Sequence, residues 1–417
     1  MARPIHISAL IQALQFQNPQ PDSLRKLSRA EWEQLLAYSD LARLTLILGQ
    51  AWPEELPDWV RERIARNLAD NRERLSLAQC TYRDAADALR AVGADHLVLK
   101  GFSQWPYFVS DVRLRPQADL DLYCPAESLF RAHSALLNIG YEAGRTPEMH
   151  IGQVGDHLPI LIRRQSSRQW RGNAFDPNIS LAIELHYQFW GRSYARFGPT
   201  DLNVFWTRRC NRFMQGMTFQ ALDPLDAFAF SALHALRHLL YGGLAPYSIY
   251  ELGFFLHHNA QNDRLWKMWP AQHDAGLRLL VVAAAFLAAE WFGCRLPGAV
   301  EEEIRHLPPV VFRWFKRFGE SALGHLFEFN KDALWLHLAL IDSSRERTSV
   351  LVRRLFPLWF PALNSRWVQE PDEGAGTERR NRLQKCITYL NWFVVRIARH
   401  LRALPSTLWG GVRLWAS

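Results

Sequence analysis

The sequence predicts an α+β fold: a small mixed β-sheet flanked by N-terminal helices, with a helical domain on its C-terminal side. Three observations lead there. Apolar residues recur at helical spacing through the first 95 positions. Short strand-like runs, broken by Gly and Pro, are confined to the stretch between Leu97 and Tyr187. Beyond Gly191 the pattern is helical again. Period-two and period-3.6 patterning separate the two element types.

The expected divisions are an N-terminal helical region (1–95), an α/β core (96–220), a helical domain (221–368), and a linker with a basic C-terminal helix (369–417). In the first, Trp32 to Leu48 has helical spacing. A longer helix follows Pro57-Asp58, with Asp58 expected as its cap. Its apolar positions run from Val60 and Ile64 through Leu75, Tyr82 and Leu89 to Val92, in one packing stripe. Gly93 is its natural stop.

The core opens with the strand Leu97-Val98-Leu99, which runs into Lys100-Gly101-Phe102-Ser103. A second strand carries Ala118-Asp119-Leu120-Asp121-Leu122-Tyr123 and is broken by Pro125. Ala126 to Asn138 fits a helix with Phe130, Leu136 and Leu137 inward, ending before Gly140. Leu158 to Ile162 is a further strand, and 165–178 reads as a polar loop carrying arginines. Ser180 to Tyr187 is the next strand, with Leu181, Ile183 and Leu185 on one face. Glu184 and His186 then share the other face.

In the helical domain, Asp223-Pro224 opens a helix that runs to Gly242-Gly243. His234 and His238 share one of its faces. They match H-x-x-x-H, but Ala235 stands where a zincin has its Glu. The alternatives are a helix facing a bound nucleotide or a polar seam between helices. The most apolar run, Leu279 to Ala289, is too short to span a bilayer and reads as a buried helix between Arg278 and Glu290. Residues 369–383 read as a charged linker. The final segment, 386–415, mixes Trp392, Phe393, Ile397, Leu401, Trp409 and Trp415 with Arg396, Arg399, Arg402 and Arg413. Such a helix suits peripheral contact with an anionic membrane, or packing on the protein body.

Composition sets outer bounds. With 417 residues and 48% hydrophobic content, the chain exceeds one ordinary domain and can bury a sizeable core. A net charge of +8 suits anionic partners such as nucleotides, nucleic acid or acidic lipid. The five cysteines (Cys80, Cys124, Cys210, Cys294, Cys386) are scattered and form no CxxC, which argues against a disulfide framework or zinc site. The N-terminal stretch lacks a signal-peptide pattern, so a reducing cytoplasm is expected, with the basic helix permitting a peripheral membrane location.

Asp119 and Asp121 carry the chemistry. Two apart on a strand, they point to the same face, with Leu120 and Leu122 turned into the core. Like charges so placed repel, and a divalent cation between them recovers the cost. Mg²⁺ takes one or two carboxylates with water and phosphate oxygens. On this view Asp121→Asn is expected to leave stability level or slightly raised. The calcium alternative lacks the spaced ligands and closing Glu of an EF-hand loop. Upstream, Gly101 after a strand lets backbone approach a phosphate, with Lys100 and Ser103 adding charge and a hydroxyl.

The glycine turn followed by Asp119-Leu120-Asp121 resembles the nucleotidyltransferase superfamily of the DNA polymerase β type. More closely, Leu99-Lys100-Gly101, Arg115, Asp119 to Leu122, Gly140-Tyr141, His157-Leu158-Pro159 and Glu184-Leu185-His186 resemble a family of uncharacterised bacterial nucleotidyltransferases. The resemblance covers roughly residues 40 to 345. Phe102 stands where the superfamily has a small residue, with Ser103 one place late. The resemblance implies that 96–220 is a nucleotidyltransferase core closed by a helix pair that includes Glu251. It implies that Asp119, Asp121 and Glu184 are catalytic and hold two Mg²⁺ (or Mn²⁺) ions. Lys100, Gly101 and Ser103 would hold phosphates, Arg115 would neutralise charge, and His186 would orient Glu184 or contact phosphate. The implied reaction moves a nucleoside monophosphate from a triphosphate to an acceptor, with release of pyrophosphate. The acceptor, whether small molecule, saccharide, peptide or RNA, is not legible. The alternative is a catalytically inactive nucleotide-binding or membrane-associated module on the same fold.

Overall fold

The computed structural model describes residues 3–143, 156–163, 175–326, 329–356 and 378–416. Most of the expected polar loop (165–174) and part of the expected linker (369–377) lie outside them. The fold is α+β, as expected. Two compact units are formed, one before Pro309 and the other from Pro309 onward. The boundary at Pro308 falls inside the helical stretch 221–368.

The first unit is built on a seven-stranded mixed sheet. Its strands are β1 (Leu97–Val98), β2 (Asp119–Tyr123), β3 (Glu142–Ala143), β4 (Leu161–Ile162), β5 (Ala182–His186), β6 (Cys210–Met214) and β7 (Met217–Ala221). They lie in the order β3-β4-β5-β2-β1-β7-β6. β2 runs parallel to β5, and β1 parallel to β7; the other pairs are antiparallel. The β6–β7 hairpin is absent from the sequence expectation. Its turn is Gln215-Gly216, with φ of 47° and 78°. Two successive positive φ values suit the right-handed twist of a two-residue hairpin.

One sheet face is the core. Leu120 and Leu122 of β2 and Ile183 and Leu185 of β5 pack there with Leu75, Tyr82 and Leu89 of the long helix Asp58–Ala91. The helix Ala126–Asn138 covers the same core through Leu129, Ala132 and Leu136. Of the three residues expected inward on that helix, only Leu136 is buried. Phe130 and Leu137 are 76% and 40% exposed. The buried row recurs at three and four residues from Leu129, and Phe130 lies a step round the helix from it.

Asp58 is the first helical residue of Asp58–Ala91 rather than its cap; Pro57 precedes it, and Asp58 pairs with Arg61 one turn on. The buried face of this helix is not apolar throughout. Asn71 and Arg74 are buried in mid-stripe. Asn71 Nδ2 donates to the carbonyls of Arg113 (2.7 Å) and Arg115 (3.1 Å). The Arg74 guanidinium donates to the carbonyls of Gln117 (2.6 and 2.9 Å), Asp176 (2.8 Å) and Ile179 (3.0 Å). These are the last turns of chain before β2 and before β5. One helix thus fixes the entry of both central strands. Burial pulls the Arg74 guanidinium down to about 10, against the charges of Asp176 and Asp119.

Beyond the sheet, Pro224–Tyr241, Pro246–Asn259 and Ala275–Phe292 pack together. Asp223 caps the first by accepting from Leu225 N–H, and Gly242 ends it at φ +76°. Among the described residues, Ala275–Phe292 alone is long and apolar enough to cross a membrane, and it is 67% buried inside the unit. In the second unit the helices Pro309–Phe318, Ala333–Ala339, Ser344–Leu355 and Glu378–Trp415 pack together. Trp335 Nε1 donates to Thr407 O at 2.9 Å, and a Cβ on Gly411 would lie 2.2 Å from the Trp335 ring. Glycine is required at that close crossing.

Arg74→Met keeps bulk and removes every donor. Three buried carbonyls lose their partner, so unfolding free energy in urea should fall by about 3 kcal/mol or more. Stability within experimental error of wild type would show that Arg74 does not hold the strands.

Candidate active site

The face of the sheet opposite the core carries the chemistry. The parallel β2–β5 register sets Asp119 beside Ala182, Asp121 beside Glu184 and Tyr123 beside His186. Alternation puts Asp119, Asp121, Glu184 and His186 on one face. Asp121, Glu184 and His186 are all buried, and their ligand atoms lie within 4.8 Å of one another. Asp119 is half-buried, one strand step earlier and outside that group.

Two cations meet on one oxygen of Asp121. Lys100 Nζ, from the end of β1, is 3.1 Å from Oδ1. His186 Nε2 donates to the same atom at 3.0 Å and lies 3.7 Å from Glu184 Oε2. Burial alone would disfavour charge on either partner. The Lys100 charge and the His186 hydrogen bond nonetheless lower the Asp121 carboxyl to about 2. For His186, burial is outweighed by the hydrogen bonds to Asp121 and Glu184, which raise the imidazole to about 9. The carboxylate and the imidazolium are therefore both charged at neutral pH. The repulsion expected between strand carboxylates is answered within the protein itself.

Gly101 begins a tight turn, Gly101–Gln104, at φ +75°. A Cβ there would meet Gln117 Oε1 at 2.8 Å and lie 4.0 Å from Arg115 Nη1, so only glycine fits. Ser103 is buried in the same turn, its hydroxyl donating to Lys100 O at 3.1 Å. Arg115 Nε donates to Glu251 Oε1 at 2.7 Å, which joins the strand-entry loop to the Pro246–Asn259 helix. The guanidinium stands near both Gly101 and Asp119.

The Pro224–Tyr241 helix brings further groups. His234 Nε2 lies 3.0 Å from Lys100 Nζ and 3.1 Å from His238 Nε2. An H-x-x-x-H metal site needs a cation between the two rings; here the Lys100 ammonium already sits against one of them. Desolvation, with the charges of Arg237 and Lys100, holds His238 down at about 3 and His234 well below its usual range. A neutral His234 with bare Nε2 accepts from the Lys100 ammonium. Arg237, between the two histidines, pairs with buried Asp156. Asp156 Oδ2 in turn lies 3.9 Å from His186 Nδ1. Asp156 and Arg237 were not expected from the sequence. Their signals were adjacency to His157-Leu158-Pro159 and to the two histidines. The backbone of His157 bridges that of His186.

The model of the family described as uncharacterised nucleotidyltransferase matches residues 28–293. The chain belongs to that family. Neither the curated proteins nor the solved structures contain a match to it. Membership in this nucleotidyltransferase family supports a general role in nucleotidyl transfer. The match takes in the whole β1–β7 sheet and the helices that carry His234, Arg237, Glu251 and the Ala275–Phe292 core.

The oxygens of Asp121 and Glu184 are donors that fit a hard divalent cation. Asp121→Asn removes the carboxylate charge that Lys100 and His186 share. Contrary to the sequence expectation, stability of the metal-free protein should fall, by about 2 kcal/mol. Differential scanning calorimetry in chelator checks this; an unchanged or raised melting temperature would refute the balance described.

His238 supplies a pH signature. Its folded value lies below its unfolded value, so between pH 6.5 and about 3 the unfolded chain binds the extra proton. The contribution of His238 to stability must then drop as pH falls through that window and be constant above it. His238→Gln, which cannot titrate, should lose less stability than wild type between pH 7 and pH 5. Parallel melting curves would contradict the assignment.

Proposed function

We propose that this protein is a divalent-metal-dependent nucleotidyltransferase that moves a nucleoside monophosphate from a nucleoside triphosphate to an acceptor. The observation that carries the proposal is the register of β2 against β5. It sets Asp121 beside Glu184 on a non-core face, beside a lysine and a glycine turn. Asp119, Asp121 and Glu184 would hold Mg²⁺ or Mn²⁺. When bound, such ions neutralise triphosphate charge and acidify an attacking hydroxyl.

The chain's own groups do the rest. Lys100, tethered by His234, is within reach of any phosphate beside Asp121. Gly101 leaves the backbone uncovered where a β- or γ-phosphate would approach, with Ser103 in the same turn. Arg115, anchored on Glu251, adds positive charge on that side. His186 holds the Asp121 and Glu184 carboxylates in register. An acceptor oxygen attacks the α-phosphorus, its proton passes to Glu184, and the bond to the β-phosphate breaks to release pyrophosphate. Small molecules, saccharides, peptides and RNA all offer such an oxygen. Use of nucleoside triphosphates and free thiols at Cys80, Cys124, Cys210 and Cys294 suits the cytoplasm.

Calorimetric titration with each nucleoside triphosphate should give binding with Mg²⁺ and none in chelator. Transfer of α-phosphate label to an acceptor in cell extract should be lost by at least about a hundredfold in Asp121→Asn. Metal-independent binding of equal strength, or label transfer retained in the variant, would overturn the proposal.

A further inference from the structure

The helix Glu378–Trp415 has two faces of different character. Ala403, Thr407, Gly410 and Leu414 are buried, at steps of four, three and four. On another side lie Leu390, Val394, Leu401, Leu408, Val412 and Trp415, each between 45% and 61% exposed. Their steps of four, seven, seven, four and three keep them on one line. Six large apolar side chains on one solvent-facing stripe are more than scattered surface residues. The same helix carries eight lysines and arginines and a single glutamate. Arg402 and Arg413 are exposed beside the stripe. The Arg413 guanidinium lies 4.7 Å from the ring centroid of Trp409, itself 58% exposed.

We propose that this face lies on an anionic lipid surface. The stripe would enter the boundary between headgroups and acyl chains. Arg402 and Arg413 would stay at the phosphates, and Trp409 and Trp415 would anchor at the interface. Charge complementarity selects this occupant. A second copy of the helix would set one strongly cationic surface against another, whereas lipid phosphates attract it. RNA would satisfy the arginines and leave the aliphatic row in water.

The test is sedimentation of the full chain with vesicles of phosphatidylcholine alone or equimolar with phosphatidylglycerol. Binding to the anionic vesicles should exceed binding to the neutral ones by about tenfold or more and weaken with salt. Leu401→Glu/Val412→Glu alters exposed positions and should abolish it. Arg402→Gln/Arg413→Gln should weaken anionic binding alone, and provides the test if the first variant misfolds. No sedimentation with anionic vesicles overturns the proposal. So does vesicle binding that neither variant reduces. So does a wild-type dimer in light scattering that the glutamate variant disperses, or RNA binding without lipid binding.

Discussion

Setting Asp121 beside Glu184 on neighbouring buried strands is the constraint that the rest of the site answers. Two carboxylates one strand apart, away from water, do not stay charged without compensation. The compensation comes from different parts of the chain. Lys100 arrives at the end of β1, and His186 follows two residues after Glu184 on the same strand. Further charges are added in pairs: Asp156 with Arg237, Glu251 with Arg115. With cations already in place, another positive charge would be costly, and His234 and His238 are held neutral. A single register therefore explains an array of charge that would otherwise look like separate ion pairs.

The register itself depends on a helix that reaches the strands through the backbone carbonyls that precede them. Arg74 and Asn71 give up an apolar position each in the buried stripe of Asp58–Ala91. In return they bind the backbone just before β2 and just before β5. Side chains of one helix thus set the relative height of two strands. A slip of one residue would turn Asp121 into the core and Leu120 toward the charges. The leucine and isoleucine face resists the same slip from the other side.

Local signals in the sequence carried much of this. Asp119-Leu120-Asp121 and Glu184-Leu185-His186 alternate cleanly, so the strands and their faces were legible from spacing. The glycine after β1 was legible because its positive φ and close neighbours leave no room for a side chain. What stayed hidden was long-range. Arg74 is a polar interruption in an apolar stripe, and its acceptors include carbonyls 102 and 105 residues away. The roles of Asp156 and Arg237 depend on chain crossings that no local pattern records. The β6–β7 hairpin was missed since its turn is Gln-Gly rather than the commoner Asn-Gly or Asp-Gly. Phe130 and Leu137 misled because apolar type was read as burial, while Ala132 faces the core.

The two partners of Asp121 differ in how freely they can leave it, and that difference bears on the proposed chemistry. His186 is on β5 itself, its backbone fixed in the sheet and its ring buried. Lys100 ends on a flexible four-carbon stem at a strand terminus, with His234 as a second partner 3.0 Å from its ammonium. If a divalent cation takes the Asp121 oxygen, the ammonium can move and keep one hydrogen bond. A triphosphate arriving with that cation would offer it a new anion at short range. On the proposed reading, His234 does not bind substrate. It makes Lys100 movable by ensuring that the ammonium is never left in the site without an acceptor.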